Sequence, residues 1–146
     1  MCEHFVARAE SPFTMGDLWP LAGGLERFGI AGFGWGAGWL DDAGTLRTYR
    51  TNAAFRDDPD GQTKVGPVRT TTALVHLRRP SRLSWLSKAD AQPFIDPSTR
   101  FVFSHNGDLQ AWRELRPSYR AAGRIHGRGD TEVGQRWLED NWRPDE

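Results

Sequence analysis

Nine consecutive residues, Gly32-Phe33-Gly34-Trp35-Gly36-Ala37-Gly38-Trp39-Leu40, constrain the fold of this chain more than any other stretch. Glycine recurs at every second position and aromatic residues fill most of the positions between. Period two is the repeat of a β-strand, so the glycines line one face and the large side chains the other. A strand face without side chains is where another backbone or a ligand can come close. The 146 residues include 16 Gly and seven Trp, a composition of tight turns and aromatic walls rather than of a leucine-packed bundle.

The rest of the chain supplies partners for that strand. Cys2 to Ala9 reads as a short strand, with Phe5 and Val6 apolar. Ser11 to Leu21, with Pro12, Gly16 and Pro20, is expected to be a loop holding at most a short helix, closed by Gly23-Gly24. Asp41 to Gly44 is a turn and Thr45 to Thr51 the returning strand of a hairpin. Ala54 to Gly66, with its run Asp57-Asp58-Pro59-Asp60-Gly61, is expected to be a solvated loop. Thr71 to Leu77 is β-branched and apolar and reads as a buried strand, followed by an irregular connection from Arg78 to Pro93. Thr99 to Ser104 is a further strand running into the turn His105-Asn106-Gly107. Leu109 to Arg116 is a short helix that Pro117 is expected to stop. A last helix starts at Asp130-Thr131 and runs to about Trp142, with Val133, Trp137 and Leu138 on its apolar side.

Composition removes several classes of function. The chain fits one domain, residues 1–146, large enough to bury about 68% of its unfolded surface. Acidic and basic residues balance at 19 each, which gives no reason to expect nucleic acid or an anionic membrane as partner. A single cysteine rules out an internal disulfide framework and a cysteine-rich zinc site. No apolar run approaches the roughly 20 residues of a membrane span, and the opening MCEHFVARAE lacks a signal peptide's apolar core. A cytoplasmic protein is the expectation. His76 and His105 stand at strand ends without metal-ligand spacing, so neither a metal nor another cofactor is expected.

The lone cysteine stands at position 2. A small residue there permits removal of Met1, which would leave a thiol and a free α-amine on one residue. The amine, with a pKa of about 7.7–8, can act as base for a thiol near about 8.5. An N-terminal nucleophile activated in this way is an established form of covalent catalysis. Three further features stand beside it: a strand ending in His76-Leu77-Arg78-Arg79-Pro80-Ser81, a second ending in Ser104-His105-Asn106-Gly107, and a helix opening with Gly129-Asp130-Thr131-Glu132.

Taken together, MCEHF, GFGWGAGWL, VHLRRPS, DAQPF, FVFSHNGDL and the GDTE helix start resemble the class II glutamine amidotransferases of the N-terminal nucleophile hydrolase superfamily. The closer resemblance is to the small stand-alone branch that includes the γ-glutamyl amidohydrolase of ergothioneine biosynthesis. It spans nearly the whole chain. It implies an α+β fold, a four-layer αββα sandwich shortened at its C-terminus, because members of the family continue into further strands after this helix. It implies Cys2 as nucleophile acting on glutamine or a γ-glutamyl amide, with the Asn106 side chain and the Gly107 N–H stabilising the oxyanion. Arg78 would hold the substrate's α-carboxylate through its guanidinium fork, with Ser81 assisting, and Asp130 would hold the α-ammonium. Trp35 and Gly36 would line the pocket. For Asp130 a plain helix N-cap is the competing role. A separate acceptor or synthase chain, or a second copy of this one, is the partner such a domain implies. The alternative to an amidohydrolase is a catalytically degenerate module that binds a γ-glutamyl compound or docks on a partner.

Overall fold

The structure is a computed structural model that describes residues 2–80 and 86–144. It is a mixed α+β fold built on a four-stranded antiparallel sheet. The strands are β1 (Glu3–Thr14), β2 (Trp35–Leu40), β3 (Leu46–Thr51) and β4 (Arg69–Leu77), in the order β1-β4-β2-β3. The β-branched and apolar run of β4 places it in the interior of the sheet. Ala73, Val75 and Leu77 alternate onto one face and join Trp35 and Ala37 of β2 in the main core. Two helices, α1 (Trp19–Phe28) and α2 (Pro59–Val65), bring Ala22 and Val65 to the same core.

That core is aromatic. Trp35 is fully buried, and its ring packs on Trp19, Tyr49 and Phe55 with centroids 5.1–5.5 Å apart. The Trp35 indole N–H donates to Asp58 at 2.9 Å and the Tyr49 hydroxyl donates to the same oxygen at 2.7 Å. Burial and this bond to Asp58 push the Tyr49 phenol up to about 12.

The opposite face of the sheet carries the glycines. A Cβ at Gly36 would overlap the carbonyl oxygen of Gln92, and one at Gly38 would lie 2.8 Å from Val102 Cγ1. Residues 92–103 therefore lie directly on bare strand backbone. They include a small hairpin of β5 (Phe94–Ile95) and β6 (Val102–Phe103). Phe103, next along β6 from Val102, meets the last helix, α4 (Asp130–Asn141), at Gly134, where a Cβ would be 3.5 Å from its ring. Helix α3 (Trp112–Ala121) packs beside α4. No helix among the described residues is long and apolar enough to cross a membrane.

Several local expectations are corrected. Residues 11–21 are not a loop: β1 continues to Thr14, and α1 starts at Trp19 with Gly23 and Gly24 inside it. Pro20 lies in the first turn, where a missing N–H costs no helical bond. Tertiary anchoring outweighs the glycines' poor helix propensity. Glu26 of α1, 3% exposed, accepts the backbone N–H groups of Phe55 at 2.7 Å and Arg56 at 3.0 Å. The acidic run is not a loop either, since Asp58 caps α2 by accepting from Gly61 N–H at 3.1 Å, with Pro59 at the first helical position. Pro117 does not stop α3 but lies within it. The helix starts later than expected, so the proline deprives only the exposed Arg113 carbonyl of a helical partner. The strand expected over 99–104 shrinks to Val102–Phe103, because Thr99 takes a left-handed φ of 56° in the turn before it.

The Glu26 anchor yields a test. Glu26→Ala leaves two backbone donors beneath α1 without their acceptor and should destabilise the chain by about 2–4 kcal/mol. The midpoint of urea unfolding reads it; a loss below about 0.5 kcal/mol would show that water replaces the carboxylate and that the anchor is dispensable.

Candidate active site

Strand register is what brings residue 2 into play. Glu3 pairs with Leu77 across β1 and β4, so Cys2 sits beside Arg78 and Arg79 as they leave β4. The Cys2 sulfur lies 3.3 Å from both the backbone N and the carbonyl oxygen of Arg79. Asn106 approaches from the other side and grips the backbone of Cys2 at two points. Its Nδ2 donates to the Cys2 carbonyl at 2.6 Å, and its Oδ1 accepts from the Cys2 N–H at 3.0 Å. Gly107 follows with a φ of 152°, a conformation that favours glycine, and a Cβ there would lie 3.1 Å from His105 Nε2.

These residues edge a cavity of about 390 Å³ whose walls include Cys2, Arg78, Asn106, Gly107 and Asp130. Five residues expected from the sequence thus come together from the position before β1, the position after β4, the 105–107 turn and the start of α4. Arg78 is only 6% exposed and its Nη1 donates to the Ser87 carbonyl at 3.4 Å. Burial lowers its pKa, while Asp90 and Cys2 act the other way. Asp130 is the first residue of α4, and Gly129 holds the cap position, so the N-cap role is corrected. Its Oδ2 instead accepts from Leu109 N–H at 2.7 Å, tying the chain just after Gly107 to α4 and leaving Oδ1 toward Thr131 at 3.5 Å.

Trp35 and Gly36 do not line this cavity. Strand alternation turns the Trp35 indole into the aromatic core, and Gly36 is covered by the Gln92 carbonyl. Ser81, and Met1 with the expectation of its removal, lie outside the described residues.

Two wall residues had no assigned role at the sequence level, although both fall in the DAQPF segment. Asp90, 6% exposed, accepts from the N–H groups of Arg128 at 2.7 Å and Gly129 at 2.8 Å and from the Ser87 hydroxyl at 3.1 Å. It fixes the turn that delivers Asp130. Gln92 accepts from His105 N–H at 2.7 Å through Oε1 and donates to Thr131 Oγ1 at 3.2 Å through Nε2. One side chain therefore sets the spacing between the 105–107 turn and α4. Glu132 completes the wall, with its oxygens taken by the N–H groups of His126 at 3.0 Å and Gly127 at 2.7 Å. His76 is fully buried against β1 and β2, and burial drives its pKa to about 3, so it is neutral.

The thiol itself is half-buried, and burial raises its pKa, partly offset by the Arg79 backbone bond and the Arg78 charge. A thiol held in this way is protonated at neutral pH and needs a base to become a nucleophile. Neither a protein-family model nor a curated protein matches this chain.

The raised thiol predicts a pH profile. The alkylation rate of folded Cys2 by iodoacetamide should reach half its plateau at a higher pH than that of the urea-unfolded chain, whose midpoint should fall near the ordinary thiol value of about 8.5. At pH 8 the folded thiol should react more slowly than the unfolded one. A folded profile whose midpoint lies at or below that of the unfolded chain would contradict the burial argument.

Proposed function

We propose that this chain is an amidohydrolase of the N-terminal nucleophile type that cleaves glutamine or a γ-glutamyl amide. The observation that carries the reading is the convergence of Cys2, Arg78, Asn106, Gly107 and Asp130 on one cavity, from positions up to 128 residues apart in sequence. The stacking of helices, four-stranded sheet, small hairpin and helices is consistent with the αββα sandwich of that superfamily.

With Met1 removed, the Cys2 α-amine takes the thiol proton as sulfur attacks the γ-carbonyl. A C–S bond forms and the carbonyl oxygen becomes an oxyanion. Asn106 Nδ2 has two hydrogens: one serves the Cys2 carbonyl, and the other, with the Gly107 N–H, serves the oxyanion. The ammonium returns its proton to the departing nitrogen, the C–N bond breaks, and ammonia or an amine leaves. Water then attacks the thioester and releases glutamate and the thiol. Arg78 holds the α-carboxylate of the substrate, and Asp130 Oδ1 the α-ammonium. Asp90, held by two backbone N–H groups and the Ser87 hydroxyl, and Glu132, held by the N–H groups of His126 and Gly127, act as frame.

A second reading, a catalytically silent γ-glutamyl-binding module, is favoured by one feature: both ends of the Asn106 amide already engage the Cys2 backbone. Intact mass after incubation with a glutamine-like diazoketone separates the two. The amidohydrolase gives a chain lacking Met1 with one adduct, abolished by Cys2→Ala; an unmodified mature chain that still binds glutamine establishes the silent module instead.

Two substitutions probe the roles. Asn106→Ala should lower kcat by roughly 10²–10³ with a smaller change in KM, because the donor acts at the transition state; a rise in KM alone would make Asn106 a ground-state contact. Asp130→Asn should cost about 10- to 150-fold in kcat/KM for glutamine and much less for its des-amino analogue. Equal losses on the two substrates would reduce Asp130 to its structural bond with Leu109.

A further inference from the structure

Next to the candidate active site, sharing Phe94 and Glu132 with it, lies a second cavity of about 310 Å³. Its charged walls are Arg50 from β3, Lys88 from the turn that carries Asp90, and Arg136 and Glu132 from α4, with the His126 ring at the rim. Three cations face one carboxylate, a formal excess of two positive charges with histidine neutral. The carboxylate has little capacity left. Glu132 is 2% exposed and accepts from the N–H groups of His126 and Gly127, from Arg136 and, at 3.1 Å, from the His126 ring.

The cations differ in what holds them. Arg136 is committed, with Nε donating to the Arg124 carbonyl at 2.8 Å and its other nitrogens directed at Glu139 and Glu132. Arg50 is braced but not neutralised. Its guanidinium lies 4.8 Å over the Phe94 ring, and Nη1 donates to the Ala91 carbonyl at 2.8 Å. Among the described residues neither Arg50 nor Lys88 has a carboxylate within ion-pair distance. Burial lowers the pKa of Arg50; the Glu132 charge opposes this and Arg136 adds to it. Arg50 is half-buried, with Arg136 and the exposed Lys88 on the same cavity, and a half-buried cation without a carboxylate partner is costly unless an anion completes the cluster.

The geometry points to a binding site for a phosphate group in the Arg50–Lys88–Arg136 cavity. A phosphate carries about −1.5 to −2 charges at neutral pH, which matches the excess. It also offers the several acceptor oxygens that a braced guanidinium and a free ammonium can share. The cavity falls at the lower end of small-molecule sites, about 300–1,000 Å³, so a phosphomonoester with a short carbon chain fits the class as well as inorganic phosphate. Nothing in this inference depends on Cys2 or on amide hydrolysis.

Calorimetric titration of the full chain tests it, with inorganic phosphate and glycerol phosphate compared with chloride at matched ionic strength. The expected result is saturable binding of one phosphate per chain. Lys88→Gln should weaken it by about 10-fold or more, the loss of one charge-assisted contact. This variant removes no hydrogen bond of the fold, so it stays folded where Arg50→Gln could fail. Arg113→Gln, on the exposed face of α3, should leave binding unchanged. Tighter binding of the ester identifies a phosphomonoester as the ligand, and equal or weaker binding identifies inorganic phosphate. Absence of saturable binding of either probe, or equal affinity in the Lys88→Gln variant, overturns the proposal.

Discussion

The arrangement depends on the contact between Gly36 of β2 and the Gln92 carbonyl. No residue with a Cβ could stand at position 36 without displacing that segment. Gly38 does the same for Val102 one pleat further along. Two missing side chains let residues 92–103 settle on the sheet, and the Gln92 side chain then reaches both His105 and Thr131. The position of the 105–107 turn and of α4 relative to Cys2 follows from that close approach. Bulk at either glycine would lift the second layer and open the cavity.

Buried carboxylates do most of the remaining positioning, chiefly through backbone donors. Glu26 holds residues 55–56, Asp90 holds 128–129, and Glu132 holds 126–127. A buried carboxylate accepting backbone N–H groups replaces the water it loses with fixed donors. In each case a loop that would otherwise carry unpaired donors into the interior is tied to a helix or turn. The acidic residues of the cavity wall differ in how many backbone donors they hold. Asp90 and Glu132 each accept from two backbone N–H groups or more, whereas Asp130 accepts from one, that of Leu109, and at 3.5 Å from the Thr131 hydroxyl.

The two adjoining cavities divide the charge of the wall between them. Cys2, Arg78 and Asp130 face one, and Arg50, Lys88 and Arg136 face the other, with Phe94 and Glu132 common to both. The turn at residues 88–90 presents Lys88 to the second and Asp90 to the first. A molecule or ion seated in either therefore rests on elements that also shape its neighbour.

Sequence determined the features that are local. Period-two patterning marked β2, a β-branched apolar run marked β4, the Asp41–Gly44 turn marked the hairpin between β2 and β3, and Asp130-Thr131 marked the start of α4, because these follow from side-chain alternation, residue type, turn chemistry and helix starts within a few residues. Arg78, Asn106 and Asp130 of the cavity were legible as polar groups at strand and helix ends. Tertiary structure decided the rest. Gly23, Gly24 and Pro117 lie inside helices because contacts distant in sequence, or an exposed carbonyl, absorb their local cost. Trp35 points into the core because strand pairing fixes which side of β2 faces α1 and α2. Asp90 and Gln92 matter through partners 13 to 39 residues away, and Asn106 reaches Cys2 across 104 residues. No local pattern encodes such distances; they are set by the register of β1 on β4 and by how closely a second layer can approach a sheet face that has no side chains.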